Sequence, residues 1–424
     1  MSSHQAAAAP LPPHPAPAPL PRARSAMRGP LAVLAALTFV RLLYGVQFQS
    51  LGAVAPGLTA ELGLNHASLG TLIGAYTALG LVLALPAGWL LPRLGERRVV
   101  LGSLALMAAG GAVIALAPGF GTALAGRLVS GTGAILLLVA LPAIIAGRFS
   151  APALPAAMGT LLAGYPLGIA LGLVLLPLLG AWRDAMEATV LLAVVALGAA
   201  ALTLAPDRGR DVPAVPRPSV RLPRREGAAV AAAGLAWGFP NAAFATLLGF
   251  GPAYFTEHGL PPATAGALAG LVALATVPPG PFGGWLLGRL GRPMAGMAAG
   301  LLVLALSAAL LAAGGAPVPL LVLGGVALGT VSGPIVALPA AVVPPERRAM
   351  AMALFWTVFF LPMSVLPALA GLGRDLSGAA AAPLAAASLF GALGVPALLL
   401  HAWLRRPAAR PGAASGRALA AGAG

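Results

Sequence analysis

The chain has 424 residues, 59% of them hydrophobic and only 8% charged, with a formal net charge of +15. An ordinary soluble domain carries about 25% charged residues, so this composition excludes one. No cysteine is present, which removes disulfides, thiolate metal sites and cysteine nucleophiles, and the 25 basic residues are all arginine.

Residues 1–29 read as an Ala/Pro-rich disordered tail ending in a small basic cluster. Apolar stretches long enough to cross about 30 Å of hydrocarbon then predict twelve membrane spans. They lie at 31–54, 67–91, 99–117, 121–147, 156–180, 188–205, 228–256, 263–288, 295–314, 318–343, 349–373 and 382–404. A six-helix half thus covers 31–205, a Pro- and Arg-rich linker 206–227, a second half 228–404 and a tail 405–424. No room is left for a soluble domain, a nucleotide-binding domain or a cofactor fold.

The arginines sit between the spans. With the N-terminus inside, 21 of them fall in cytoplasmic segments, against Arg183 and Arg374 outside. This positive-inside bias predicts two cytoplasmic termini and a bacterial inner-membrane location, and it accounts for the net charge without nucleic acid as a partner. The remaining pair, Arg41 and Arg127, falls inside the hydrocarbon.

At an offset of 196 residues the second half repeats the first. Phe48, Leu51, Pro56, Glu61 and Gly63 fall on Phe244, Leu247, Pro252, Glu257 and Gly259, and Gly88-Trp89-Leu90-Leu91 falls on Gly284-Trp285-Leu286-Leu287. An even number of spans per repeat makes the halves parallel. The predicted fold class is all-α and integral to the membrane, with twelve transmembrane helices in two parallel six-helix pseudo-repeats.

Those features carry a family resemblance. Gly88, Arg93, Gly95 and Arg97 between spans 2 and 3, echoed by Gly284, Arg289 and Gly291, resemble the loop signature of the major facilitator superfamily. Arg127-x-x-x-Gly131-x-Gly133 is similar to the signature of that family's fourth helix. The resemblance implies a gating role for the loop residues and a transporter whose halves rock around a central cavity. The loop departs from the pattern where Pro92 and Gly288 replace the usual Asp. Gly159, Gly168 and Gly172 match only part of the antiporter signature of drug exporters, and are read as close helix packing through small residues.

All ten acids and all five histidines fall in tails, loops or span ends, so the hydrocarbon zone holds two cations and no titratable partner. That census leaves no nucleophile, acid–base pair or metal ligand set for an enzyme. Arg41 lies about 15 Å into span 1, sharing a face with Thr38, Tyr44 and Gln49. A guanidinium beside a phenol and an amide can grip a planar anion bidentately. Arg127 is a further substrate-binding candidate, and Trp237 and Asn241 face it from the second half, Trp237 falling on Arg41 by the repeat. Tyr165 and Trp356 read as core packing, and Glu61 and Glu257 as solvated loop charges.

The expectation is a monomeric secondary transporter, not an enzyme, moving a small, anionic solute by alternating access, with membrane lipid as its surroundings and no cofactor or metal. An exporter of an apolar or amphipathic compound, and a non-transporting sensor or assembly factor, are the competing readings. Because the chain lacks cysteine, single cysteines test the topology directly. A cysteine near Arg217 should react with an impermeant maleimide only from the cytoplasm, and one near His258 only from outside.

Overall fold

The structure, a computed structural model, describes residues 29–150, 152–205 and 222–405. The tail expected at 1–29, the linker at 206–227 and the tail at 405–424 fall largely outside the described residues. In the first half the helices are α1 (Pro30–Ala53), α2 (Ala55–Leu62), α3 (His66–Ala78), α4 (Gly80–Leu94), α5 (Glu96–Ala115), α6 (Phe120–Ala146), α7 (Leu154–Leu175) and α8 (Trp182–Thr203). In the second half they are α9 (Arg224–Glu257), α10 (Pro262–Leu274), α11 (Gly283–Arg289), α12 (Pro293–Ala312), α13 (Pro317–Val342), α14 (Arg348–Ser377) and α15 (Ala382–Leu404).

Eleven of the spans are helices long and apolar enough to cross a membrane among the described residues. The twelfth, span 8, is divided into α10 and α11 by turns at 275–282, where Pro278, Pro279 and Pro281 remove backbone donors. Span 2 is α3 and α4, meeting at Leu79. Two boundaries differ from the apolar runs that predicted them. Span 6 starts at Trp182 rather than 188 and span 7 at Arg224 rather than 228, so Asp184 and Glu226 sit in first turns, where the helix dipole favours a carboxylate. The short α2 between spans 1 and 2 was not expected; its C-cap, Gly63, takes a left-handed φ of 60°.

Both described chain ends lie on one side, the terminal face; the start of α3 and the end of α14 lie on the opposite face. Within the first half, α1 and α7 pack through a glycine seam. A Cβ at Gly45, Gly164 or Gly168 would run into the carbonyl of Tyr165, Thr38 or Leu42, so only glycine permits this approach. The halves meet where α3 packs on α14 and α7 on α10, with Gly70, Gly74 and Gly266 set against the carbonyls of Pro367, Ser364 and Leu173. Between α1 and α9, Gly52 faces Gly249.

On spans 5 and 8, Gly266 and Gly270 touch Leu173 and Ala170, whereas towards the terminal face Gly159, Gly284 and Gly288 have nothing within 4 Å of where a Cβ would stand. The contrast yields a test. Gly168→Leu should overpack the α1–α7 seam by roughly 1–3 kcal/mol or more and lower the monodisperse fraction after detergent extraction, while Gly159→Leu should leave it unchanged.

Candidate functional site

The two membrane-embedded arginines have opposite surroundings. Arg127, on α6, is 1% exposed, and each of its three nitrogens donates to a backbone carbonyl. Nε reaches Leu72 O at 3.1 Å, Nη1 reaches Gln47 O at 2.8 Å and Nη2 reaches Phe48 O at 3.0 Å, while the cation lies 4.4 Å from the Tyr76 ring centre. This arginine ties spans 1, 2 and 4 together, and its donors are engaged within the protein.

Arg41, on α1, is 7% exposed, and its Nε and Nη1 have no hydrogen-bond acceptor. The rings of Tyr44 and Tyr165 lie 4.9 and 5.2 Å from the guanidinium carbon, so π faces screen the cation without taking up its N–H groups. Tyr76 extends the cluster, its ring 5.9 Å from those of Tyr44 and Phe48, and Phe48 stands 5.7 Å from Tyr165. Tyr76 is fully buried with an unpartnered hydroxyl, and Thr38, one turn from Arg41, has an unpartnered Oγ1. A buried donor left without an acceptor costs about 1–3 kcal/mol, more when charged, so such groups need a reason. Three of the chain's four tyrosines meet here. Sequence reasoning named Tyr44 but put Tyr165 in the core and passed over Tyr76; the signal was that an embedded cation needs π faces.

Gln49 is buried, with neither amide atom partnered, and it lies beside Gly52 where α1 meets Gly249 of α9. Eight residues beyond Arg41 on one helix, it stands about 12 Å further towards the opposite face. Gln47 points elsewhere, donating to Met107 O at 3.2 Å. In the second half Asn241 donates to Trp237 O at 2.8 Å, one turn earlier on α9, and Trp237 is buried. Trp356 on α14 packs against Phe355 and Phe359, with centroids 5.2 Å apart in each case. The structure therefore gathers Arg41 and Tyr44 with Tyr165 and Tyr76, sets Gln49 above them, and commits Arg127 to carbonyls.

The loop residues occupy the terminal face. Gly95 and its repeat partner Gly291 take φ of 87° and 68°, a left-handed turn that explains why glycine recurs there. Arg93 and Arg289 fall in the last turns of α4 and α11, and Arg289 lies 5.0 Å from the Trp285 ring. Gly88 lies within α4 and Gly284 within α11. Arg97 donates to Ala201 O and Leu204 O at 2.7 and 2.6 Å, holding the end of α8.

The opposite face carries a charged cluster that joins the halves. Asp375, near the end of α14, accepts the backbone N–H groups of His66 and Ala67 at 3.0 and 2.8 Å and lies 2.7 Å from His66 Nδ1. Arg374 Nε donates to His66 Nε2 at 2.7 Å, which places the imidazole proton on Nδ1, and Arg374 Nη2 donates to Glu257 at 2.6 Å. Glu61 accepts from the Trp182 indole at 2.6 Å and from Arg183 Nε at 2.9 Å, and these bonds hold its carboxyl below the usual carboxylate range. Glu61 and Glu257 are exposed, as expected from sequence, and each in addition receives an arginine from the neighbouring span end. Arg374→Ala removes donors to both His66 and Glu257. It should speed maleimide labelling of a cysteine at Ser364, on the α3–α14 seam, several-fold.

With this geometry in view, comparison with known proteins shows a consistent picture. The chain superimposes on a bacterial homologue of the human lysosomal transporter Spinster in an inward-facing, occupied conformation, with a TM-score of 0.64 at 16% identity, covering 88% of this chain and 95% of that one. An auto-inhibited peptide transporter of the POT family gives 0.71 at 14% identity over 89% and 98% of the two chains. The POT family transporter PepTSo gives 0.67 at 13% over 89% and 99%. Similarity at this level speaks for the fold alone. None of the curated proteins matches the sequence. The family profile described as Major Facilitator Superfamily matches residues 37–367. That match spans most of the chain: the protein is a multi-pass membrane transporter of the major facilitator superfamily.

Proposed function

We propose that this transporter moves a small anionic solute by alternating access, with Arg41 as the anion anchor. The observation that carries the reading is the contrast between two cations in one bundle. Arg127 is supplied with acceptors by the backbone, whereas Arg41 keeps buried N–H groups without one. No aspartate or glutamate lies mid-span to neutralise it, and an isolated charge in hydrocarbon costs several kcal/mol. An anionic substrate supplies the missing partner.

Alternating access is supported by how the halves join at the opposite face, through the Arg374–His66–Asp375 cluster and the Gly266–Leu173 contact. The arginine bias assigns the terminal face to the cytoplasm of a bacterial inner membrane. On this reading Gln49, Trp237 and Asn241 flank the solute path, Arg127 frames the site from behind, and Gly88, Arg93, Gly95, Arg97, Gly284, Arg289 and Gly291 form the hinge loops of the cytoplasmic gate. The transporter works as a monomer without a cofactor. Proton movement, where it occurs, rides on the substrate rather than on an embedded carboxylate.

The test is transport per folded molecule in proteoliposomes. Arg41→Lys keeps the charge but loses the planar fork, so transport should fall at least tenfold; Arg41→Ala should abolish it. Normal per-molecule transport by a well-folded Arg41→Ala variant would remove the basis for an anionic substrate.

A further inference from the structure

The surroundings of Arg41 restrict the kind of anion as well as its sign. We infer that the substrate is a monocarboxylate with an apolar, preferably aromatic, body; this rests on the anionic reading above and narrows it. Two observations carry the step, one geometric and one of charge.

The geometric one is the placement of the Arg41 guanidinium carbon 4.9 and 5.2 Å from the Tyr44 and Tyr165 rings, with its Nε and Nη1 unpartnered. The two rings stand side by side, 5.2 Å apart and tilted by 59°, and the N–H groups of a guanidinium point outward in its own plane, where Nε and Nη1 are the unpartnered ones. An acceptor must then approach in the plane of the guanidinium. A carboxylate does so with two coplanar oxygens, satisfying the fork in one step. A phosphate or sulfate brings further oxygens that need their own donors. The unpartnered donors nearby, the neutral hydroxyls of Tyr76 and Thr38, can take the remaining lone pairs of a carboxylate but add no second cation for a dianion.

The charge argument is a count. The membrane interior holds two arginines, and Arg127 has each nitrogen bonded to a carbonyl. One cation is therefore open to the substrate. A monoanion neutralises it, whereas a dianion leaves a second negative charge without a partner in a region where such a charge is costly. The rings of Tyr44, Tyr76, Tyr165 and Phe48, with centroids 5.2–5.9 Å apart, make the surroundings of Arg41 aromatic, and a planar apolar body is the kind that packs favourably among them.

The experiment uses the purified full-length chain, with thermal shift in detergent and then uptake in proteoliposomes, against five probe types. These are aromatic monocarboxylates (benzoate, phenylacetate, 3-phenylpropionate), the aliphatic hexanoate, the dicarboxylate succinate, inorganic phosphate and sulfate, and the neutral benzamide. The expected result is saturable stabilisation and uptake with an aromatic monocarboxylate, weaker with hexanoate, and at least tenfold weaker affinity in Arg41→Lys. Tyr76→Phe separates binding from folding. Its lost hydroxyl has no partner in the protein, so folded yield should hold while monocarboxylate affinity falls several-fold. Stabilisation by succinate, phosphate or sulfate that depends on Arg41 would overturn the monocarboxylate assignment and leave the anionic reading standing. Equal binding of benzamide and benzoate, insensitive to Arg41, would overturn both. Failure of every monocarboxylate to bind would overturn the inference.

Discussion

A cation inside a bilayer must find its acceptors within the protein, in a cavity that the protein encloses or on what the protein carries, because hydrocarbon offers none. Arg127 meets that demand by sharing carbonyls of α1 and α3, a carbonyl having two lone pairs to offer. Three spans are thereby held in a fixed relation. The position of α3 relative to α1 places the Tyr76 ring between the two arginines, against Arg127 on one side and Tyr44 on the other. The aromatic cluster around Arg41 is thus a consequence of how the first cation is satisfied.

The two halves share a backbone plan but not a chemistry. Gly95 and Gly291 both take a positive φ, and Glu61 and Glu257 each receive an arginine from a neighbouring span end. At mid-membrane the equivalence fails: Arg41 corresponds to Trp237, which is buried and lends its carbonyl to Asn241. At this level of the bundle one half supplies charge and the other an aromatic side chain.

Much of the fold was legible in the sequence because the bilayer allows few alternatives. Apolar runs gave the spans, arginine placement gave the sidedness expected of them, and the 196-residue repeat gave the two parallel halves. Helix ends were less legible, since hydropathy marks where an apolar run begins whereas the helix can start in the polar turn ahead of it; the turns from Trp182 and Arg224, with Asp184 and Glu226, are the examples. At the site, Arg41 stood out by depth and Tyr44 by helical phase. Tyr165 and Tyr76 did not, because contacts between spans distant in sequence carry no periodic trace. Arg127 looked like a second ligand until three carbonyls were found at its nitrogens.

Asp375 does more than pair with His66. Its two oxygens take the first N–H groups of α3, so a residue of the second half serves as part of the N-terminal cap of a helix in the first, alongside the bond from Ser68 N–H to Asn65. Separation of the halves at this face therefore strips a helix of acceptors as well as breaking ion pairs. The first turn of α3 must then take up water or unwind. On the proposed rocking of the halves, rigid-body motion and local helix fraying would be coupled at this one carboxylate, and amide exchange at His66 and Ala67 would be a clock for how often the face opens.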